Sequence, residues 1–214
     1  MIFTIEQMKV LLSELAEERP LFHSEADFKH ALAWKMHQKN PKIRVRLEKR
    51  EELYEDIKSY FDIILELNKA KLAIELKYKT KNGEEIMSNG EMFKLKNHQA
   101  HDLGRYDFLK DLMRLEKLRE KNSIRGYAIF LTNDPSYWNK PKSSKKHIDE
   151  EFHLFEGNTK QGTLKWLYGP KPGTTKGRDK KIKLIKKYKI KWYDYSVIEK
   201  TEKNNLFRYA ILKV

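Results

Sequence analysis

The chain has 214 residues, and 45 Lys and Arg against 31 Asp and Glu give it a formal net charge of +14. It has no cysteine, which excludes disulfides, thiolate zinc sites and cysteine nucleophiles. The length is enough for one domain, or for one domain with an appended subdomain. So large an excess of positive charge favours a polyanionic partner, nucleic acid before a membrane. Because no apolar run reaches the length of a membrane span and no signal peptide is recognisable, we expect a cytoplasmic protein with no membrane partner.

Two amphipathic helices are predicted at the start of the chain, over residues 4–18 and 24–38. Glu25 lies at the centre of the apolar stripe of the second helix, where a carboxylate is costly unless it has a partner. A glutamate in the first turn of a helix is also stabilised by the helix dipole, and this structural interpretation alone would account for it. Three histidines recur every seven residues, which is typical of a solvated helix face: His23, His30 and His37.

Two strands joined by a short hairpin carry the most informative side chains of the sequence. Residues 61–67 and 71–79 both alternate aliphatic with polar side chains at period two. A hairpin between them would let Asp62 lie beside Glu75, and Lys77 falls on the same strand face as Glu75. Two neighbouring carboxylates suit Mg²⁺ or Mn²⁺, and an ammonium beside them can stabilise a phosphate or orient a water.

An alternative interpretation is a solvated strand face on which Glu75 and Lys77 form a simple charge pair. It leaves Asp62 unexplained, because aspartate disfavours strands and the neighbouring side chains here are large and apolar. The acid-x-lysine triplet is by itself a weak signal in so charged a chain, since it also occurs at Asp27, Asp56 and Asp179. The copy at Glu75 differs from these because it lies inside an aliphatic strand, with a second embedded carboxylate just upstream.

The segments around the hairpin are predicted as follows. Residues 43–48 form a strand that presents arginines and Glu48, and after it the chain breaks into a charged loop that runs through residues 55–56. Residues 79–90 form a Gly/Asn/Lys-rich loop near the substrate. A long helix covers residues 97–121, and the apolar run 124–131 is a buried central strand, parallel to a neighbour after the helical crossover.

The composition changes after residue 139. Residues 140–191 hold sixteen Lys and Arg against five Asp and Glu, which is most of the net positive charge. Strands are predicted over residues 182–195 and 206–214, so the C-terminal part is β-rich. Lysines of this kind suit phosphate contacts, which give affinity and salt dependence without reading a sequence. An alternative is a lysine-rich surface that only keeps the protein in solution.

Asp62 followed by Glu75-Leu76-Lys77 at the end of a second strand resembles the PD-(D/E)XK nucleases, also called restriction-endonuclease-like. Phe61 stands where a proline often precedes the aspartate in that superfamily. The wider chain is similar to small stand-alone bacterial or phage members of the superfamily in residues 24–28, 103–111 and 188–195.

The resemblance implies an α/β fold in which a mixed central sheet is flanked by helices. Residues 1–138 would form this nuclease-like core, and residues 139–214 a basic, β-rich extension packed on the core and in contact with nucleic acid. It also implies catalytic residues from three elements and a bound metal ion. Asp62, Glu75 and the Leu76 carbonyl would hold Mg²⁺, for which Mn²⁺ can substitute, Lys77 would lie near the attacking water, and Glu25 would be a third acid.

The expected activity is metal-dependent hydrolysis of phosphodiester bonds, with DNA favoured over RNA and an endonuclease over an exonuclease. A homodimer is compatible with the sequence. The expected nucleic-acid contacts are Lys79, Gln99, Tyr106, Lys176 and Arg178, although Gln99 and Tyr106 are seven residues apart where relatives have a helical pair usually four apart. Two alternatives stay open: a nucleic-acid-binding protein that has lost cleavage on the same fold, and an interaction protein whose charge is only solubilising.

Overall fold

The structure is a computed structural model, which describes residues 2–54, 57–81, 85–142, 146–168, 172–198 and 203–214. Residues 55–56, the end of the predicted charged loop, lie outside the described residues, as does a part of the loop predicted over residues 79–90. Among the described residues, no helix is both long and apolar enough to cross a membrane.

The described residues form three long α-helices, one short α-helix, one short 3₁₀ helix (Glu150–Phe152) and ten strands. The helices are Ile5–Glu18 (α1), Glu25–Lys39 (α2), His101–Asn122 (α3) and the short Pro172–Thr175 (α4). The strands are Arg44–Tyr54 (β1), Ile57–Leu67 (β2), Ala70–Lys79 (β3), Glu85–Ser88 (β4), Glu91–Lys94 (β5), Arg125–Thr132 (β6), Thr159–Leu164 (β7), Ile182–Lys189 (β8), Trp192–Val197 (β9) and Leu206–Lys213 (β10).

The first two helices begin at the caps that the sequence predicts. Thr4 and Gln7 form a reciprocal capping box, with the Gln7 amide donating to Thr4 Oγ1 at 3.2 Å. The side chain of Ser24 caps α2 by accepting from the Asp27 amide at 3.1 Å. Both predicted helices are therefore confirmed. The predicted β2–β3 hairpin is also confirmed, because the two strands pair antiparallel, from Ile63 with Ile74 to Leu67 with Ala70.

Six of the strands form one mixed sheet in the order β1-β2-β3-β6-β10-β9. β3 and β6 are parallel, while all other neighbours in this sheet are antiparallel. Parallel neighbours need a long crossover connection, and α3 lies in the chain between β3 and β6. The protein is thus an α/β protein with a mixed central sheet flanked by helices.

The two faces of this sheet are covered by different helices. Leu12 of α1 and Phe28 of α2 are buried in one cluster together with Ile74 of β3. Leu112 of α3 is buried in a second cluster together with Ala128 of β6. Each helix thus buries the apolar stripe that its sequence periodicity predicts.

Four sequence predictions differ from the structure. The strand predicted over residues 43–48 continues as β1 to Tyr54, through most of the segment predicted as a charged loop. The single strand predicted over residues 182–195 is wrong: β8 pairs with β7 in a separate hairpin, whereas β9 pairs with β10 in the central sheet. That sheet therefore takes strands from both sides of residue 139. The loop predicted over residues 79–90 contains β4, which forms a hairpin with β5 through Asn89 and Gly90, both at positive φ. The long helix begins at His101 rather than at residue 97.

The β7–β8 hairpin is attached to α3 by a buried carboxylate. Glu116 accepts hydrogen bonds from the Ile185 amide at 2.8 Å, from the Lys186 amide at 2.9 Å and from the Tyr188 hydroxyl at 2.7 Å. Three donors satisfy a carboxylate that would otherwise be costly to bury on a helix face.

Close packing of α3 on β6 gives the first testable prediction. A Cβ atom at Gly126 would lie 2.8 Å from Leu115 Cδ2 and 3.2 Å from Leu115 Cβ, so Gly126→Ala should lower the free energy of unfolding by about 1–3 kcal/mol. Urea denaturation measures this loss. The control is Gly173→Ala, where nothing lies within 4 Å of the new Cβ. Equal stability of the two variants would contradict the packing described here.

Acid stability gives a second prediction, which concerns Asp149. Its carboxylate pairs with Arg105 Nη1 at 2.6 Å and with His153 Nε2 at 3.3 Å. Burial alone would raise the pKa of Asp149, but His153 and Arg105 outweigh it and lower the pKa from the ordinary 3.8 to about 2. A carboxyl with a lowered pKa in the folded protein stabilises the fold when it is ionised. Asp149 should therefore add about 2 kcal/mol to the free energy of unfolding above pH 4, and this contribution should disappear as the pH falls towards 2.

The variant Asp149→Asn tests this. It should be less stable than the wild-type protein at pH 6, and the difference should shrink as the pH falls from 4 to 2. Urea denaturation at several pH values measures both effects. A difference that stays constant between pH 6 and pH 2 would contradict the assignment.

Candidate functional site

The predicted cluster lies where β2 stops pairing with β3. The two strands are paired as far as Ile74, whereas β3 continues beside β6 to its end. Beyond Ile74, side chains replace the missing strand: the Leu76 amide donates to Asp62 Oδ2 at 2.8 Å, and the Tyr78 amide donates to Glu25 Oε2 at 2.8 Å. These bonds satisfy backbone donors that have lost their strand partner. They also bring Asp62 and Glu25 to the same edge of β3.

Glu75 and Lys77 point from β3 towards α3, where they meet two residues that the sequence analysis did not single out. Arg114 Nη2 lies 3.1 Å from Glu75 Oε1, and Arg114 Nη1 lies 2.8 Å from Asp111 Oδ1. The second oxygen of Asp111 lies 2.8 Å from Lys77 Nζ. Despite the ion pair with Arg114, buried Glu75 Oε1 has no partner with hydrogen-bond geometry among the described residues.

The charges of Glu75 and Lys77 depend on these neighbours. Burial raises the pKa of Glu75 well above its usual value, Asp111 and Asp62 raise it further, and Arg114 and Lys77 oppose the shift. Burial alone would lower the pKa of Lys77, but Asp111 and Glu25 outweigh it and raise the pKa above its usual value. Lys77 is therefore a cation at neutral pH, and added positive charge would favour ionised Glu75.

The cluster continues across β2 to β1 and back to α2. Lys29, one turn after Glu25 on α2, forms an ion pair with Glu48 and lies 3.4 Å from Asp62 Oδ1. Glu48, Asp62 and Glu75 are each next in sequence to a residue of one paired row across three strands, in which Leu47 pairs with Ile63 and Ile63 with Ile74. The backbone of Glu48 has a φ of +49°, a left-handed conformation that costs free energy for a glutamate.

The donor set fits a hard divalent cation. Five carboxylates, on Glu25, Glu48, Asp62, Glu75 and Asp111, lie among three cations, on Lys29, Lys77 and Arg114, so the formal net charge is −2. The ligands available are oxygen atoms, including the carbonyl of Leu76, to which Lys77 Nζ donates at 3.2 Å. In the described part of the chain, no three His, Cys, Asp or Glu side chains are grouped as a metal-binding cluster. The metal ligands predicted from the sequence are two carboxylates, of Asp62 and Glu75, and the Leu76 carbonyl, so they include only two side chains of these types.

Five of the predicted site residues thus come together: Glu25, Asp62, Glu75, Leu76 and Lys77. Gln99 is exposed and precedes α3, so its predicted place on one side of a helix with Tyr106 is wrong. Tyr106 is buried, stacks on Trp166 and donates its hydroxyl to the Lys180 carbonyl at 2.8 Å.

The remaining predicted nucleic-acid contacts lie at the surface. Lys79 is the last residue of β3 and is partly exposed, and Lys176 is exposed just after α4. Arg178 forms a two-bond ion pair with Asp107 of α3, at 2.7 and 2.8 Å. Within the described residues, none of these three side chains has an ion pair or hydrogen bond to the carboxylate cluster.

Some residues of the cluster carry a sequence signal and others do not. Asp111 lies between Phe108 and Leu115 on the buried face of α3, so its carboxylate falls on an apolar stripe in the same way as that of Glu25. Lys29 is likewise buried on the inner face of α2. Arg114 is one arginine among many in a highly charged chain, and only the fold shows that it reaches Glu75.

Comparison of the chain with protein-family models, with curated proteins and with solved structures finds no match in any of the three.

The ion pairs of Arg114 give a third prediction. Arg114→Ala should lower the free energy of unfolding by about 3 kcal/mol, because it leaves the buried carboxylates of Glu75 and Asp111 without their shared cation. Adding Glu75→Gln should recover part of this loss, because it removes one of the two unpaired charges. Adding Glu66→Gln should not, because Glu66 of β2 pairs with Lys49 of β1 and not with Arg114. Chemical denaturation of the four proteins measures the difference. Equal effects of the two second substitutions would contradict the pairing.

Proposed function

We propose that the protein is a metal-dependent nuclease that hydrolyses phosphodiester bonds, with DNA as the favoured substrate. The observation that carries the proposal is the hydrogen bond from the Leu76 amide to Asp62, at 2.8 Å. It puts a carboxylate from β2 next to the Glu75-Leu76-Lys77 segment of β3, which is the juxtaposition that the resemblance to PD-(D/E)XK nucleases requires. The α/β fold, with α3 between the parallel strands β3 and β6, is compatible with a restriction-endonuclease-like core.

Asp62, Glu75 and the Leu76 carbonyl would hold Mg²⁺, or Mn²⁺ in its place. A bound ion of this kind polarises a phosphodiester and lowers the pKa of water. The protein supplies oxygen ligands, a negative net charge and a buried Glu75 oxygen that lacks a hydrogen bond among the described residues. These features favour a dication over a monovalent ion.

Lys77 would act as a fixed positive charge. Its raised pKa keeps the ammonium protonated at neutral pH, so it is unsuited to accept a proton from water. A protonated lysine beside the metal ligands can instead stabilise the charge that grows on the phosphate oxygens. Asp111, 2.8 Å from Lys77 Nζ, holds the ammonium in place.

Glu25 would be a positioning residue. One of its oxygens accepts from the Tyr78 amide, and the other lies 4.0 Å from Lys77 Nζ. It therefore fixes the end of β3 relative to α2 and adds negative charge on the side of Lys77 away from α3. The third acid implied by the resemblance thus bonds to the Tyr78 amide and lies close to the Lys77 ammonium.

One observation favours a second candidate, a protein that binds nucleic acid on the same fold without cleaving it. Arg114 and Lys77 already pair with Glu75 and Asp111, so much of the negative charge is neutralised inside the protein. Such a protein would bind DNA with the same salt dependence but would form no product in the presence of Mg²⁺ or Mn²⁺.

A cleavage assay separates the two candidates and gives a fourth prediction. Labelled duplex DNA, single-stranded DNA and RNA are incubated with and without Mg²⁺ or Mn²⁺. We expect metal-dependent product from DNA. Asp62→Ala, Glu75→Ala and Lys77→Ala should each lower the rate at least about 100-fold while leaving DNA binding largely intact. Retained activity in any two of these variants would remove the assignment.

The matched control is Glu66→Ala, which removes a partly buried carboxylate from the same hairpin but leaves the cluster unchanged. This variant should cleave DNA like the wild-type protein. The change in melting temperature on addition of Mn²⁺ measures metal binding without depending on turnover. Mn²⁺ should raise the melting temperature of wild-type and Glu66→Ala protein but not that of Glu75→Ala protein.

A further inference from the structure

A polar pocket of about 300 Å³ lies beside the first turns of α3 and shares no lining residue with the carboxylate cluster. Its lining includes Arg105 of α3, Ser136 and Lys140 of the segment after β6, and two histidines, His147 and His153. In the part of the chain that the structure describes, no Asp or Glu lines it. The proposed hydrolysis gives no role to these residues.

Arg105 is held in one position at this pocket. The residue is only 9% exposed, its Nη1 pairs with Asp149 Oδ2 at 2.6 Å, and its Nη2 donates to the Ser136 carbonyl at 2.7 Å. A guanidinium has five N–H donors, and these two bonds use two of them. Arg105 Nε is buried and has no acceptor among the described residues. Because a buried donor without an acceptor is costly, this side chain favours an acceptor that comes from outside the chain.

Asp149 fixes a second lining residue in the same way. Its Oδ1 lies 3.3 Å from Nε2 of the buried His153, while its Oδ2 pairs with Arg105. The ring of His153 lies 5.6 Å from the ring of His147. One carboxylate thus orients both a guanidinium and an imidazole at the wall of the pocket. Support of this kind holds binding groups in place before a ligand arrives.

A second buried cation lies close to Arg105. Lys160 is buried and donates to the Glu151 carbonyl at 2.7 Å. Burial lowers the pKa of Lys160 to about 8, Glu151 and Asp149 oppose the shift, and Arg105 adds to it. Lys160 is therefore mostly a cation at neutral pH. The two cations and two carboxylates around the pocket balance each other, so its remaining lining decides the sign of its charge.

That remaining charge is positive. Lys140 and His147 are exposed, and the ion pairs that the described lining residues form are those of Asp149 with Arg105 and His153. The ammonium of Lys140 and the imidazole of His147 are thus free to bind an anion. Phosphate monoesters carry a charge of about −1.5 to −2 near pH 7 and three strong acceptor oxygens, which suits several converging donors.

We propose that this pocket binds a phosphate group, with Arg105, Lys140 and His147 as donors to its oxygens. Two sources supply this chemistry: a terminal phosphate of a nucleic acid, and free phosphate or a small phosphate ester. The proposal goes beyond the proposed nuclease function and does not depend on it, because the pocket and the carboxylate cluster have no residue in common.

Calorimetric titration with inorganic phosphate, in EDTA at pH 7, tests the proposal. We expect saturable binding of one phosphate per chain. Lys140→Ala together with His147→Ala should weaken this binding at least about 10-fold, since it removes two donors to a charged acceptor. Both side chains are exposed, so the variant should keep the melting temperature of the wild-type protein. Arg105→Lys keeps a cation beside Asp149 but loses the planar fork, and it should weaken binding by a similar factor.

The matched control is Lys69→Ala together with His30→Ala. It removes the same two types of exposed side chain from the turn between β2 and β3 and from α2. This variant has the same change in net charge but leaves the pocket intact. It should therefore change the affinity for phosphate less than about 2-fold.

Fluorescence anisotropy in EDTA separates the two sources of phosphate. Labelled oligonucleotides of one sequence carry a 5′-phosphate, a 3′-phosphate or no terminal phosphate. If a nucleic-acid end is the ligand, one phosphorylated form should bind about 10-fold more tightly than the unphosphorylated form, and the Lys140 and His147 variant should lose this preference. If free phosphate or a small ester is the ligand, the three oligonucleotides bind alike while inorganic phosphate still binds.

Two outcomes would overturn the proposal: no saturable binding of phosphate, and binding that the pocket variant and the control variant weaken equally. Failure of the nuclease proposal gives a different result. If phosphate binds in the pocket but no metal supports cleavage, the nuclease proposal falls and the pocket assignment stands. If cleavage occurs but phosphate does not bind, the nuclease proposal stands and the pocket assignment falls.

Discussion

The hydrogen bond between the Leu76 amide and Asp62 is the interaction on which the site depends. A central strand that loses its neighbour leaves backbone donors unpaired inside the protein, and such donors must find a partner. Here the partners are two carboxylates, Asp62 and Glu25, at 2.8 Å from successive outward amides of β3. The end of one strand pairing thus fixes the position of two acids beside Glu75 and Lys77. The acids of the proposed site are therefore held in place by the need to pair the free amides of β3.

Charge balance is the second constraint. Burial makes the ionised form of Glu75 unfavourable, and the protein compensates with Arg114 and Lys77, which share Asp111. The cluster keeps a formal charge of −2, so a dication would complete the compensation.

Much of this organisation could be predicted from local sequence patterns. Period-two alternation located the hairpin with Asp62 and Glu75, and a carboxylate on an apolar helical stripe singled out Glu25. The division of residues 182–195 could not be predicted, because alternation continues while Ile190 bonds to Asn158 and the chain passes from one sheet to another. Arg114 and Glu48 were missed for a related reason. Their partners lie on other elements, and a charged residue in a highly charged chain gives no local signal.

The most direct measurement of the central claim is a crystal structure of the protein soaked in Mn²⁺, with anomalous diffraction data. We expect a manganese peak between the carboxylates of Asp62 and Glu75, close to the Leu76 carbonyl. We also expect Arg114 to move away from Glu75, because the metal takes over its charge. Well-ordered Asp62 and Glu75 side chains without a manganese peak between them would contradict a metal site at these residues.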